Sequence, residues 1–255
     1  MFLHVAAPAD HALPPAAVRA ALLLAPLAMA GCAPAGWGAG ALSALDPAGP
    51  GAAPITAVWW AMFWGAMAIT LLMTVLGVYA AWSRPRGQRR PRVPVGVLLV
   101  GGGLVLPTVV ITALLLWGVN AGHALLPRGA PAFTVELTAR QFAWQASYPA
   151  HPAPSATARA PNRIDLPAGV PVDVHVRTAD VIHGFWVPRL GGKIDAIPGR
   201  TNVIRLQADA PGVYRGVCAE FCGTGHARMP IEVHAHEPAA LAALMGPARA
   251  TGAAR

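Results

Sequence analysis

Four side chains that can bind a soft metal ion lie within twelve residues in the C-terminal half of the chain: Cys218, Cys222, His226 and Met229. Thiolate, imidazole and thioether groups are ligands suited to copper. A mononuclear blue-copper site uses one thiolate, two imidazoles and a weakly bound Met. Here a second Cys stands four residues after the first, so two thiolates are available to bridge two copper ions.

A second imidazole must come from elsewhere in the fold, because this segment supplies only one. His183, within the run Asp180–Pro188, is the best candidate. A disulfide between Cys218 and Cys222 is the alternative, since disulfides form in exported proteins. A disulfide would not explain why His226 and Met229 follow at a spacing suited to metal ligands.

Composition indicates a membrane-anchored protein with one globular domain rather than a soluble enzyme. The 255 residues are 55% hydrophobic and 12% charged, with a mean hydropathy of +0.48. The net charge is +8, but five arginines lie in one short segment, Ser83–Arg92, and the other basic residues are scattered. Nucleic-acid binding is therefore not predicted.

The first apolar stretch, Ala20–Ala30, follows Arg19 and is too short to span a bilayer. A basic start, a short apolar core and small residues before a break are typical of a secretory signal, here residues 1–31. Cys32 directly follows Ala-Gly, as in a bacterial lipoprotein signal, which predicts a lipid on Cys32 and an exported segment over 32–54. An ordinary signal peptide with a free Cys is the alternative.

Two longer apolar stretches, Ile55–Trp82 and Val93–Asn120, predict a transmembrane hairpin over residues 55–120. The arginine-rich segment between them contains no acid, so the turn is expected in the cytoplasm and both ends outside. The alternative, a buried helical hairpin in a soluble protein, gives no reason for five arginines at its tip.

Residues 121–255 are predicted to form an exported β domain. Short segments of alternating hydrophobicity, separated by Pro and Gly, indicate strands of a sandwich or barrel. The predicted strands are Phe133–Thr138, Val170–Val176, Asn202–Leu206, Gly212–Val217 and Pro230–His234. Pro149–Pro161 is expected to be a loop and Glu237–Met245 a short helix.

Three motifs resemble those of one known family. The spacing Cys218-x-Glu220-x-Cys222-x-x-x-His226-x-x-Met229 resembles the binuclear copper loop of subunit II of haem–copper cytochrome c oxidases. Asp180–Pro188 resembles the first-histidine motif of that family, and Lys193–Arg200 resembles the turn that follows it. The resemblance runs from about Phe133 to Val233 and includes the two spans before it. It implies a membrane-anchored all-β protein, with the hairpin followed by a cupredoxin-like Greek-key β-sandwich.

The resemblance also implies how the metal is held. Cys218 and Cys222 would bridge two copper ions, His183 and His226 would each bind one of them, and Met229 would be a weak ligand. The backbone carbonyl of Glu220 would bind copper as well, and its carboxylate would reach a magnesium or manganese ion at the contact with subunit I. No catalytic residue is expected in this chain, because the oxygen chemistry belongs to haem in that partner.

Electron entry is expected at Phe142 and Trp144, where many family members carry Trp at the first position. Trp144 is expected to contribute more, because Trp is bulkier and more readily oxidised. The aspartates Asp173, Asp180 and Asp195 are candidates for a local acidic landing surface. The other histidines of the domain are expected to be surface or structural residues: His175, His234 and His236.

The resemblance thus implies the electron-entry subunit of a terminal aerobic oxidase in a bacterial inner membrane, with the copper domain on the periplasmic side. Its partners would be subunits I and III, cytochrome c as donor, and membrane lipids. A copper-free quinol oxidase subunit and another CuA-type electron-transfer protein are the alternatives; a copper-delivery protein is less consistent with this ligand set. Val93–Val119 lacks the acid that many members carry at the start of the second span, so proton uptake by that route needs another group.

Overall fold

The computed structural model describes residues 40–82, 94–127, 129–151 and 153–247. The predicted signal peptide, Cys32 and the arginine-rich turn lie outside these residues. Within them, the chain forms two long helices, a domain of nine strands and a short final helix.

Two helices are long and apolar enough to cross a membrane, judged by length and composition. Helix α1 spans Ala53–Trp82, and a π-helical stretch, Val97–Val105, continues into helix α2 over Leu106–Leu125. Their most apolar regions have mean hydropathies of 2.0 and 2.3, and none of these residues is buried against the protein. Helices with apolar side chains exposed all round need a nonaqueous surrounding, as predicted for the membrane hairpin.

The domain is a β-sandwich of two mixed sheets. The strands are β1 Phe133–Arg140, β2 Ala143–Ser147, β3 Arg163–Pro167, β4 Val172–Thr178, β5 His183–Trp186, β6 Ile194–Ala196, β7 Asn202–Leu206, β8 Gly212–Cys218 and β9 Pro230–His236. The first sheet has the strand order β2-β1-β4-β7, with β1 and β4 parallel; the second has the order β3-β9-β8-β5-β6, with β3 and β9 parallel. Helix α3, Pro238–Met245, follows β9.

Alternating side chains of both sheets fill the core between them. In β1 and β4 every second residue is buried, from Val135 to Ala139 and from Val172 to Val176. In β8 the buried stripe runs through Tyr214 and ends at Cys218. Because side chains alternate across a strand, the first cysteine thiol is directed into the end of the sandwich.

The five predicted strands are present, with bounds that differ by up to two residues. The predicted final helix is present, and no helix or strand occurs in the part of Pro149–Pro161 that the structure describes. The expectation that Asp173 is surface-exposed is wrong. It is buried because Arg205, its partner in the β4–β7 register, donates two hydrogen bonds to its carboxylate at 2.6 and 2.9 Å.

The segment before α1 packs against the sandwich rather than leading away from it. Ala48 N–H donates to the Arg189 carbonyl at 2.7 Å, and Asp209 N–H donates to the Ala48 carbonyl at 2.9 Å. Arg189 also forms an ion pair with Asp46 at 2.9 Å. These contacts attach the start of the first helix to the β domain.

We expect Asp165→Ala to destabilise the domain by about 3 kcal/mol or more, because it removes one partner of a buried ion pair. Asp165 is fully buried and accepts hydrogen bonds from Arg163 and His236. The matched control is Glu136→Ala, which breaks an exposed ion pair with Arg177 and is expected to cost roughly 0–1 kcal/mol. Chemical unfolding of the full chain measures the free energy lost in both variants. Equal losses would contradict the assignment of Asp165 to a buried, stabilising ion pair.

Candidate metal centre

The two cysteines face each other at one end of the sandwich. Cys218 ends β8, and Cys222 follows in the loop to β9; both are buried and both are free thiols. Their sulfur atoms lie 3.9 Å apart, well beyond the length of about 2.05 Å that a disulfide requires. In this structure the pair is therefore arranged as two separate ligands, and the disulfide alternative is not formed.

His183 reaches the first cysteine from the neighbouring strand. Its Nδ1 lies 3.9 Å from the Cys218 sulfur, and its ring is fully buried. Gly184 makes this approach possible, since a Cβ there would lie 2.9 Å from backbone atoms of Ala219 and Glu220. The predicted partnership between the upstream histidine and the cysteine loop is present in the geometry.

His226 and Met229 approach the second cysteine. His226 Nδ1 lies 3.8 Å and Met229 Sδ lies 3.9 Å from the Cys222 sulfur. A 3₁₀ turn over His226–Arg228 brings the imidazole back towards the loop, and Cys218 N–H donates to the Met229 carbonyl at 3.0 Å. The predicted side-chain ligands thus meet at one place.

These separations fit metal coordination. Metal–sulfur and metal–nitrogen bonds of about 2.3 and 2.0 Å allow two ligands of one ion to lie up to ~4.5 Å apart, and the four pairs above lie at 3.8–3.9 Å. The ligand atoms of His183, Cys218 and Cys222 all lie within 4.8 Å of one another. Two sulfurs, each with an imidazole beside it, are a donor set that suits copper.

The Glu220 backbone carbonyl also belongs to this cluster, since its oxygen lies 3.3 Å from the Cys218 sulfur. The Glu220 carboxylate points elsewhere. It is about half exposed and lies 3.6 Å from Lys193, which also pairs with Asp195. The two parts of this residue are therefore available for separate roles.

Asp180 fixes the orientation of His183. Its carboxylate lies 2.8 Å from His183 Nε2, which assigns the ring N–H to that side and leaves Nδ1 facing the cysteine. Burial alone would raise the pKa of Asp180, but hydrogen bonds from His183, from the Gln141 and Val181 N–H groups and from Thr178 outweigh it and lower the pKa to about 2. The carboxylate is thus charged at neutral pH and accepts this hydrogen bond.

The second thiol is protonated at neutral pH when no metal is bound. Burial raises the pKa of Cys222 to about 11, and the neighbouring Cys218 adds to the shift. Because a metal requires the thiolate, metal uptake at this position must release a proton.

The Gln141–Phe142 turn packs over the cysteine loop. Gln141 Nε2 donates to the Cys222 carbonyl at 2.5 Å, and its N–H donates to Asp180 at 2.7 Å. The Phe142 ring is half-buried against Gly225, where a Cβ would lie 2.4 Å from the ring. This turn therefore joins the cysteine loop to the segment that carries His183.

Trp144 does not lie at the surface, so the expectation of an exposed position is wrong. Its side chain is fully buried, because β2 alternates and directs this residue into the core. Its ring packs edge-on against His183 and Phe185, with centroids 6.0 and 5.9 Å away. Trp144 packs against the His183 ring from within the core and cannot itself contact a docked protein.

The sequence reasoning missed the partners that orient the ligands, Asp180 and Gln141. An acid three residues before a candidate His ligand is a usable signal, because metal-binding imidazoles commonly donate to a carboxylate. Gln141 offered no such signal, since its contact with Cys222 joins residues 81 positions apart.

Comparison with known proteins agrees with these motifs. A family model described as the periplasmic domain of cytochrome c oxidase subunit II matches residues 135–236. The crystal structure of the periplasmic domain of subunit II of cytochrome oxidase from Bradyrhizobium japonicum is 31% identical, over 45% of this chain and 91% of that one, with a TM-score of 0.40. The chain belongs to the cytochrome c oxidase subunit II family.

Two curated cytochrome c oxidase subunit 2 proteins match over a smaller share of this chain. The protein from Alkalihalophilus pseudofirmus is 43% identical over 103 residues, and that from Saccharomyces cerevisiae is 53% identical over 70 residues. These alignments cover 40% and 26% of this chain, and 29% and 28% of the relatives. The chain thus spans less than a third of the length of these subunit II relatives.

Proposed function

We propose that this chain is the electron-entry subunit of a terminal aerobic oxidase. It accepts electrons from a cytochrome c at a binuclear copper centre and passes them to haem in subunit I, where oxygen is reduced. The observation that carries the proposal is the meeting of two buried free thiols, two imidazoles and a thioether, with adjacent ligand atoms 3.8–3.9 Å apart.

The burial of the ligands favours electron transfer over substrate chemistry. His183, Cys218, Cys222 and Met229 are all at most 5% exposed, whereas His226 is half-buried, so four of the five side-chain ligands are closed to a substrate. When bound, the copper pair supplies one-electron redox chemistry shared between both ions. The chain's own residues hold the sulfurs at a fixed separation, orient His183 through Asp180 and exclude water.

Glu220 serves two purposes in this proposal. Its backbone carbonyl joins the copper ligands, and its exposed carboxylate is free to bind magnesium or manganese at the contact with subunit I. Lys193 occupies that carboxylate in the isolated chain. Binding of the hard cation therefore requires the lysine to turn towards Asp195, with which it already pairs.

We also propose where the chain lies in the cell. The two apolar helices would anchor the chain in a bacterial inner membrane beside subunits I and III, with the copper domain on the periplasmic side. A lipid on Cys32 would provide a second attachment. The segment that joins the sandwich to α1 through Ala48 and Asp46 supports a fixed orientation of the domain relative to the first helix.

The test is electron transfer from reduced cytochrome c to the full chain in detergent. The copper-loaded chain should oxidise one cytochrome c per two bound copper ions without oxygen, because a mixed-valence pair takes up one electron, and the copper-free chain should oxidise none. Oxidation of a quinol instead, with no response to cytochrome c, would contradict the proposal.

We expect Asp180→Ala to lower copper affinity by about 10–100-fold, the usual effect of removing a carboxylate that orients a histidine ligand. The substitution also frees the Gln141 N–H. Competition against a chelator of known affinity measures the change. Glu136→Ala, an exposed acid in another ion pair, is the control and should bind copper normally; equal affinities in both variants would refute the role of Asp180.

A further inference from the structure

Two histidines share the outer face of strand β9, away from the copper ligands. The apolar residues of β9 enter the core, and Glu232, His234 and His236 alternate with them on the other side of the sheet. The strand begins at Pro230, directly after the ligand Met229. Since a strand rises about 3.3 Å per residue, the two histidines lie roughly 13 and 20 Å along it. They are therefore separate from the metal centre described above.

The two imidazole rings lie next to each other on this face. The centroids of His234 and His236 are 6.4 Å apart, and the ring planes differ by 18°. Two imidazoles that share a metal ion through bonds of about 2.0–2.1 Å have centroids about 4.5–6.5 Å apart. The observed separation falls within that range. Rotation of the side chains, without movement of the strand, is thus enough to bring one nitrogen of each ring to a shared ion.

Each ring is held by a carboxylate at one of its two nitrogens. His234 Nε2 lies 3.2 Å from the Glu232 carboxylate, and His236 Nε2 lies 2.6 Å from that of Asp165 on β3. A carboxylate places the ring N–H on the nitrogen that it contacts and leaves a lone pair on the other nitrogen. Neither Nδ1 has a hydrogen-bond partner among the residues that the structure describes. Both Nδ1 atoms are therefore available to a metal ion.

The copper-site residue His183 has the same arrangement. Its Nε2 contacts Asp180, and its Nδ1 faces the cysteine sulfur. Metal-binding imidazoles commonly donate the remaining ring N–H to a carboxylate in this way. The β9 pair repeats the arrangement twice, on side chains of His234 and His236 that are 18% and 19% exposed. That exposure leaves the pair accessible to an ion from solvent.

The charges around the pair favour a transition metal over a hard cation. Arg163 forms an ion pair with Asp165, and Arg215 lies 3.6 Å from Glu232. Two guanidinium groups thus already balance the two carboxylates. Mg²⁺, which is held by oxygen ligands and charge, gains little at this position. Neutral imidazole nitrogens suit Zn²⁺ and Cu²⁺ instead.

We propose that His234 and His236 form a second metal site, which binds one Zn²⁺ or Cu²⁺ ion on the outer face of β9. One nitrogen of each ring coordinates the ion, and water fills the remaining positions. Glu232 and Asp165 orient the rings through Nε2. Because Asp165 belongs to β3, the bound ion also strengthens the connection between β3 and β9. The site does not depend on the proposed electron transfer.

The first test is equilibrium dialysis of the full chain in detergent, after its copper centre has been filled. The copper-loaded chain is dialysed against Zn²⁺ with excess Mg²⁺, and the bound metals are counted. The unmodified chain should bind one zinc ion more than His234→Ala or His236→Ala. His175→Ala, which removes a half-buried histidine from the other sheet, is the matched control and should keep that zinc ion.

Unchanged copper content shows that each variant is folded. Should an alanine variant lose copper, His234→Gln and His236→Gln keep more of the side-chain volume and take its place. Equal zinc content in the unmodified chain and in both β9 variants would overturn the proposal. An equal loss of zinc in His175→Ala would also overturn it, because the ion would then bind surface histidines without preference.

The second test separates a built site from scattered binding by spectroscopy and stability. Added Cu²⁺ should give a second electron-spin signal, coupled to one copper nucleus and two nitrogens, that His236→Ala lacks. Glu232→Ala should weaken zinc binding by about tenfold, the usual effect of removing a carboxylate behind a histidine ligand, whereas the control Glu136→Ala should not. Zinc should raise the unfolding midpoint of the unmodified chain but not of His236→Ala, because it binds the folded state. The same midpoint shift in both proteins would contradict the site.

Discussion

Replacing Cys222 with serine is expected to abolish the binuclear copper signal. The Cys222 sulfur lies 3.8–3.9 Å from Cys218 Sγ, His226 Nδ1 and Met229 Sδ, so it takes part in three of the four side-chain ligand pairs. A serine hydroxyl is a hard, largely protonated ligand that cannot replace a bridging thiolate for copper. Copper content should fall to at most one ion per chain, as measured by metal analysis and electron-spin resonance.

The matched control is Ala227→Ser, which introduces the same hydroxyl into the same loop at an exposed position. It should keep the full copper content and an unchanged spectrum. Retention of a signal shared by both metal nuclei in Cys222→Ser would mean that this sulfur does not bridge the ions.

Replacing Trp144 with leucine is expected to destabilise the domain by roughly 3 kcal/mol, because truncating a buried aromatic side chain leaves a cavity. The Trp144 ring packs against both Phe185 and the ligand His183. The cavity should therefore also loosen the histidine and weaken copper binding. Chemical unfolding and chelator competition measure the two effects in the same protein.

Phe142→Leu is the comparison. This ring is half-buried over Gly225 rather than under His183, so stability should change less and copper content should be unchanged. If Phe142 carries electrons inward, its replacement slows copper reduction by cytochrome c at full copper occupancy. A larger loss of stability in Phe142→Leu than in Trp144→Leu would reverse the assignment of the two rings.

Some of the predicted strands have one buried face and one exposed face. Strands β1 and β8 alternate in this way, and the alternation of apolar and polar residues was sufficient to predict them. Strand β3 is buried at three successive residues, Ile164–Leu166, which removes the alternation. Strands β5 and β6 are only four and three residues long, and pairing with distant strands, rather than local pattern, defines them.

The cluster of candidate ligands was predictable because the chemistry and spacing of its members are local properties of the sequence. Cys218, Cys222, His226 and Met229 lie within twelve residues, and His183 was the best candidate for the second imidazole because its segment resembles the first-histidine motif of the family. The supporting contacts were not predictable in the same way. Gln141 reaches Cys222 across 81 residues, and the burial of Trp144 depends on the β1–β2 pairing, so both required the folded structure.

The most direct test of the binuclear centre is metal analysis and electron-spin resonance of the copper-loaded full chain. We predict two copper ions per chain and a mixed-valence signal in which one unpaired electron couples to both nuclei. One copper ion per chain, with coupling to a single nucleus as in a blue-copper protein, would contradict the assignment of Cys218 and Cys222 as bridging ligands.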